Sequence, residues 1–177
     1  EALDSVEALT NDYPNEALLY NISGACYVGL GQLDAAVKSY EQAIAIKSDY
    51  AEAHNNLGVT LQELGQLDAA VKSYEQALAI KPDYAEAHNN LGNASKELGQ
   101  LDAAVKSYEQ AVALKPDFAD AHYNLAGTLQ ELGQLDAAVK SYEQALAIFI
   151  FTDKPSYAEA FNDLGIVLKE LGQLDTA

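Results

Sequence analysis

Apolar and small residues along this 177-residue chain fall into two alternating helical patterns. In residues 51–84 the first pattern carries Leu57, Gly58 and Leu61, and the second carries Ala70, Tyr74, Ala77 and Leu78. Steps of three and four residues place each set on one face of a helix. The whole unit then returns. The string GQLDAAVKSYEQA stands verbatim at 31–43, 65–77, 99–111 and 133–145, each start 34 residues after the last, and GQLD recurs at 172–175. A helical hairpin repeated in tandem predicts an all-α solenoid, because one hairpin cannot bury its apolar face alone and gains stability by stacking on its neighbours.

Helix ends are marked in the same strings. Asp49-x-x-Glu52, Asp83-x-x-Glu86 and Ser156-x-x-Glu159 have the form of a capping box at the start of first helices. Gly65, Gly99 and Gly133 stand just past the first helices, where a left-handed cap favours glycine. Lys81-Pro82 and Lys115-Pro116 close second helices, the lysine complementing the negative end of the dipole and the proline preventing continuation. Small residues such as Gly58, Ala70 and Ala77 let the two helices of a hairpin approach closely, and Leu57, Tyr74 and Leu78 fill the remaining space.

The 34-residue period, with His54, Leu57-Gly58, Leu61, Ala70, Tyr74, Ala77 and Pro82 in the expected places, resembles the tetratricopeptide repeat over essentially the whole chain. The resemblance implies one helix-turn-helix solenoid, a right-handed superhelix of antiparallel helix pairs spanning residues 1–177. Residues 1–16 read as the second helix of a partial repeat, and complete repeats follow at 17–50, 51–84 and 85–118. A fourth covers 119–157 with five inserted residues at 149–153, and a partial fifth covers 158–177. First helices are expected to line a concave face.

Charge narrows the choice of partner. The formal net charge is −17, and all 10 basic residues are lysine. An acidic body without arginine lacks both the basic stripe and the bidentate fork that nucleic-acid recognition needs, and an anionic membrane surface is disfavoured for the same reason. The single cysteine, Cys26, excludes an internal disulfide and a cysteine-based zinc cluster, and is compatible with a reducing compartment such as the cytoplasm. No apolar run is long enough for a membrane span.

Catalytic chemistry finds no set to carry it. His54, His88 and His122 recur at one place in successive repeats, about 8–10 Å apart at helix-packing distances, too far to share one ion. No phosphate loop, dinucleotide fingerprint or His-Glu-x-x-His is present. Asn21-Ile22-Ser23 and Asn93-Ala94-Ser95 match the glycosylation sequon, but within predicted helices. The expectation is a non-enzyme with no metal and no cofactor.

The strongest functional signal is a column of amides. Asn56, Asn90 and Asn124 occupy one place in three successive first helices, Asp163 continues the column, and Ile22 breaks it. Asn55, Asn89 and Asn162 lie beside it, with Tyr123 in the matching place. A carboxamide both donates and accepts, so a spaced row can bind an extended backbone whatever its side chains. The same groups could instead bond within or between hairpins. The column resembles the asparagine ladder of O-linked N-acetylglucosamine transferases, which implies that Asn56, Asn90 and Asn124 hold substrate polypeptide. Glu52, Glu86 and Asp120 recur near the starts of the same helices and would make an acidic groove suited to a neutral or basic peptide. The carboxylate clamp of chaperone-binding relatives is rejected, since the matching places hold Asn55, Val59, Asn90, Asp120 and Asn124 rather than cations.

The function expected is a scaffold binding an extended peptide or protein segment. A substrate-recruiting arm of a larger enzyme, such as a glycosyltransferase, is one alternative, and a self-assembly module is another. Phe149, Ile150 and Phe151 enter the last of these. Five extra residues would turn a continuing helix about 140° out of register, so the join must bend or the stack must shift. Three large apolar side chains need cover, either between the fourth and fifth repeats or in a homo-oligomer contact. The last unit ends at Ala177, early in a second helix and without a polar cap, which implies a longer protein or ends that stack on another copy.

Overall fold

The computed structural model describes residues 2–150 and 156–172. Among these described residues, ten α-helices follow one another: α1 (Ala2–Asp12), α2 (Ala17–Gly29), α3 (Leu33–Ile46), α4 (Ala51–Glu63), α5 (Leu67–Ile80), α6 (Ala85–Glu97), α7 (Leu101–Leu114), α8 (Ala119–Glu131), α9 (Leu135–Phe149) and α10 (Ser156–Glu170). The chain forms two compact units, residues 1–90 and 91–177, divided within α6. In the first unit α1 packs on α2, α2 pairs with α3, α3 meets α4, and α4 pairs with α5. In the second, α7 meets α8, α8 pairs with α9, and α10 packs on α9. The all-α, hairpin-by-hairpin architecture is the one the repeat predicts.

The turns are made as the sequence indicates. Gly65 and Gly133 have φ of +72°, and Gly99 has +74°. Each follows a first helix in the left-handed region that L side chains avoid. The N-termini differ from the expectation. The N-cap of α4 is Tyr50, and it makes no side-chain bond to the helix backbone. Asp49 lies one residue outside that cap, so the capping box is not formed there. The loop is instead tied by a histidine: His54 Nε2 donates to the Ser48 carbonyl at 3.1 Å, His88 to Pro82 at 3.0 Å and His122 to Pro116 at 3.0 Å. Lys47, Lys81 and Lys115 place their ammonium groups over Tyr50, Tyr84 and Phe118, 4.7–5.1 Å from the ring centres.

The core of the first three hairpins is an aromatic ring on a bare backbone. A Cβ at Gly58 would stand 2.6 Å from Tyr74 Cε1, one at Gly24 2.5 Å from Tyr40 Cε1, and one at Gly92 2.5 Å from Tyr108 Cε1. Glycine is thus required for contact between first and second helix; Ala36, Ala70 and Ala104 of the second helices are fully buried, Ala104 in one cluster with Tyr108. The fourth hairpin departs from this arrangement. Ala126, fully buried, stands where the others have glycine, and Tyr142 lies edge-on to Tyr123 with ring centres 5.7 Å apart.

The inserted stretch resolves into an inside and an outside. Helix α9 runs one residue beyond its counterparts, to Phe149. Phe149 is buried with Ala119, Ala145, Leu146 and Ala160, so it fills space between α8, α9 and α10. That corrects the expectation of a self-association contact for Phe149, whose side chain has no surface left to offer. Ile150 is exposed, and Phe151 lies outside the described residues.

Candidate functional site

The amide column forms a set of clasps between successive hairpins. In the first unit Asn56 Nδ2 donates to Asn21 Oδ1 at 3.1 Å, and Asn90 Nδ2 donates to Asn55 Oδ1 at 3.0 Å. Both pairs are 35 residues apart, one repeat plus one position. A residue of the Asn56 and Asn90 column therefore reaches back to the adjacent place, held by Asn21 and Asn55, in the hairpin before it. The acceptor Asn55 is buried, as is Asn89, whereas the donors Asn56 and Asn90 are half-buried. The sequence alternatives of backbone capture and bonding between hairpins are thus decided in part: the donors are committed to a neighbour through one of their amide hydrogens.

The second unit builds its clasps from other residues. Asn124 Nδ2 donates to Asn93 Oδ1 at 3.1 Å, and the same oxygen accepts the Tyr108 hydroxyl at 2.7 Å. Tyr123 donates its hydroxyl to Asp163 Oδ2 at 2.7 Å, across a separation of 40 residues. That exceeds the usual 35 by the five inserted residues, so α10 keeps the register of the clasp in spite of the insertion. Asp163 and Tyr123, which break the asparagine pattern in the sequence, are partners. The short bond to a carboxylate and burial together raise the Tyr123 phenol well above its ordinary value, burial being the larger cause.

Beside this clasp lies an open cavity of about 520 Å³. Lys96, Tyr123, Gly127, Glu131, Tyr142 and Asp163 line it, together with Asn124, Gln130 and Glu170. Lys96 Nζ pairs with Glu131 Oε1 at 2.8 Å. Burial first, then the charges of Asp163 and Glu131, push the Tyr142 phenol up to about 12. The first unit has a smaller recess of about 380 Å³ with an apolar floor, lined by Ile44, Ala45 and Leu57 and rimmed by Glu41, His54 and Lys72.

Of the acidic residues expected beside the amides, Glu52 and Glu86 are exposed and Asp120 is half-buried. The histidines are spread over three loop ties rather than gathered. Among the described residues no group of three or more His, Cys, Asp or Glu is placed to hold a metal ion. Nor is any described helix long and apolar enough to cross a membrane. Sequence reading missed Asn21 and Asn93 as clasp acceptors, although Asn21 stands 34 residues before Asn55 and so shares its column. It also missed Lys96 and Gly127, whose only signal was their difference from the corresponding residues of other repeats.

Family models described as TPR repeat match residues 24–65, 63–99 and 92–133, and one described as tetratricopeptide repeat matches 117–177. The chain belongs to the tetratricopeptide-repeat family. Among curated proteins none matches it in the comparison. Among solved structures it is similar to the MamA protein, with 25% identity, a TM-score of 0.81, and coverage of 92% of this chain and 86% of that one. It is also similar to YrrB, described as a TPR protein with an unusual peptide-binding site, at 20% identity and a TM-score of 0.79, covering 97% and 86% of the two chains. The first TPR of Spaghetti (RPAP3), bound to the HSP90 peptide SRMEEVD, gives 24% identity, a TM-score of 0.66, and coverage of 67% and 94%.

Proposed function

We propose that this repeat array is a non-catalytic scaffold that holds an extended polypeptide against its first helices, with clasped amides meeting the guest backbone. The observation that carries the reading is the half-burial of Asn56, Asn90 and Asn124, each oriented by a bond to the preceding hairpin. A carboxamide has two hydrogens and an acceptor oxygen. For Asn56 and Asn90, one bond to a neighbour therefore fixes the direction of the amide without exhausting it. The resemblance of the column to the ladder of O-linked N-acetylglucosamine transferases supports the same use.

Charge selects among guests. With −17 on the chain, and with Glu52, Glu86 and Asp120 near the amides, a neutral or basic segment is favoured over an acidic one. The Spaghetti domain takes a peptide whose last four residues include two glutamates and an aspartate. This chain has no arginine, and the places that would form a carboxylate clamp hold amides, valine and aspartate, so that guest chemistry does not suit it. A homo-oligomer contact is a separate reading, and Ile150, 62% exposed, is the described residue of the inserted stretch that serves it.

The test is a titration of fluorescein-labelled ten-residue peptides of glycine, serine and lysine by fluorescence anisotropy. Asn56→Ala/Asn90→Ala/Asn124→Ala should weaken binding several-fold while circular dichroism shows the helices retained. The single Asn90→Ala guards against loss of folding in the triple variant. Equal affinities for a folded variant and the parent would reject the role of the amides.

A further inference from the structure

The repeats of this chain differ little, so the places where they differ carry information. Tyr123 stands where other first helices have Asn55, Asn89 and Asn162; Asp163 stands where they have Asn56, Asn90 and Asn124. Lys96 stands where Gln62 and Gln130 do, a place that Lys169 also holds, and Gly127 replaces Val59, Asn93 and Ile166. All four residues line one cavity, the 520 Å³ hollow of the second unit.

Each departure changes the hollow in a definite way. A Cβ at Gly127 would come within 3.5 Å of the Tyr142 hydroxyl and 3.8 Å of Lys96 Nζ. The side chains that other repeats carry at this place would therefore fill the space, and glycine keeps it open. Ala126 occupies the neighbouring glycine place, and Tyr142, itself buried, stands edge-on to Tyr123, so the Tyr123 ring lines the wall and the Tyr142 hydroxyl lies beside Gly127. Asp163 brings a carboxylate where three other first helices have a neutral amide, and it holds the Tyr123 hydroxyl at 2.7 Å. Glu131 and Glu170 add two more carboxylates, against the one ammonium of Lys96, which is already bonded to Glu131.

We infer that this hollow is a binding site for a cationic side chain, an arginine or lysine of the guest segment, received against the half-buried Tyr123 ring and the Asp163 carboxylate. The inference rests on the peptide-scaffold reading for the rest of the guest and adds what that reading lacks, a pocket that selects one side chain. Aromatic rings attract a cation through their electron-rich faces, and a carboxylate supplies the counter-charge. An anionic guest is refused by the same lining. An aliphatic side chain of equal length gains only the contact with the Tyr123 ring.

The decisive substitutions are already present elsewhere in the chain. Asp163→Asn and Tyr123→Asn restore residues that the other repeats carry at these places, so both variants are compatible with the repeat fold. Two probes are used with the full chain: N-acetyl-arginine methylamide alone, and ten-residue glycine–serine peptides with one central arginine or norleucine. The amide probe is followed by 1H–15N shifts of Gly127 and Asn124, the peptides by anisotropy. The arginine peptide should bind about tenfold more tightly than the norleucine peptide, the combined effect of one cation–π contact and one partly exposed ion pair. Asp163→Asn should cut that ratio to about threefold or less while leaving the norleucine peptide unchanged.

Equal binding of the two peptides, or a ratio untouched by Asp163→Asn, would overturn the cationic pocket and leave the amide scaffold standing. Shifts at Gly127 with the arginine probe, together with no binding of any peptide, would uphold the pocket and sink the scaffold. Silence of both probes would sink both.

Discussion

Replacing Gly58 by alanine tests the packing that forms each hairpin. The new methyl would stand 2.6 Å from Tyr74 Cε1 and 2.7 Å from Cδ1. Carbon atoms rest at about 3.5–4.0 Å, so the ring must retreat by about 1 Å. Tyr74 is fully buried, and its hydroxyl is bonded to Gln62 Oε1 at 2.9 Å, which leaves it little room. Overpacking of this kind costs about 1–3 kcal/mol. The better helix propensity of alanine returns about 1 kcal/mol. Gly58→Ala should therefore destabilise by up to about 2 kcal/mol.

Gly165 provides the matched control. It holds the same repeat position in α10, and no described atom outside its own helix lies within 4 Å of a Cβ placed there. Gly165→Ala should stabilise by about 1 kcal/mol, through propensity alone. Urea unfolding followed by far-ultraviolet circular dichroism reads both. The double variant Gly58→Ala/Tyr74→Leu should lose less than the two single effects combined, because the methyl and the ring contend for one space. If the two glycine substitutions move the midpoint in the same direction, the notch-and-ring account is wrong.

Alkaline pH should weaken the fold through its buried tyrosines. Burial, with smaller contributions from Cys26 and Glu63, pushes the Tyr40 phenol up to about 12, and Tyr142 likewise reaches about 12. Unfolded tyrosines ionise near 10, so between about 10 and 12 the unfolded chain binds fewer protons and stability falls as pH rises. Each such tyrosine accounts for about 2–3 kcal/mol by the top of that window. Urea midpoints near pH 9 and 11 should separate less in Tyr40→Phe than in the parent, and an identical pH dependence would contradict the assignment. Asn56→Ala removes the donor to Asn21 and should cost about 0.5–1.5 kcal/mol, again read by urea unfolding. No measurable change would mean that the clasp contributes nothing to holding the hairpins.

The fold was legible because its causes are local and repeated. Helical periodicity, the glycines after first helices and the prolines after second helices act within a few residues, and four near-copies of one string leave little ambiguity. The capping boxes failed at α4 for an equally local reason: the helix begins one residue after the place the pattern needs, and a histidine–carbonyl tie secures the loop. For Phe149 and Ile150 the sequence supplied apolarity but not direction. One extra helical residue turns Phe149 inward against Ala119 and Ala160, while Ile150 stays outside.

By itself the sequence determined hairpin order, helix content, charge and the presence of an amide column. Tertiary structure decided which neighbours the column bonds to, because a bond between residues 31–40 positions apart depends on how one helix sits on the next. It also decided that Lys96, Tyr123, Gly127 and Asp163, scattered over 68 positions of an otherwise repetitive chain, share one hollow. Periodicity fixes which face of a helix a residue occupies. Only packing fixes whose atoms lie opposite, and binding chemistry depends on those distances.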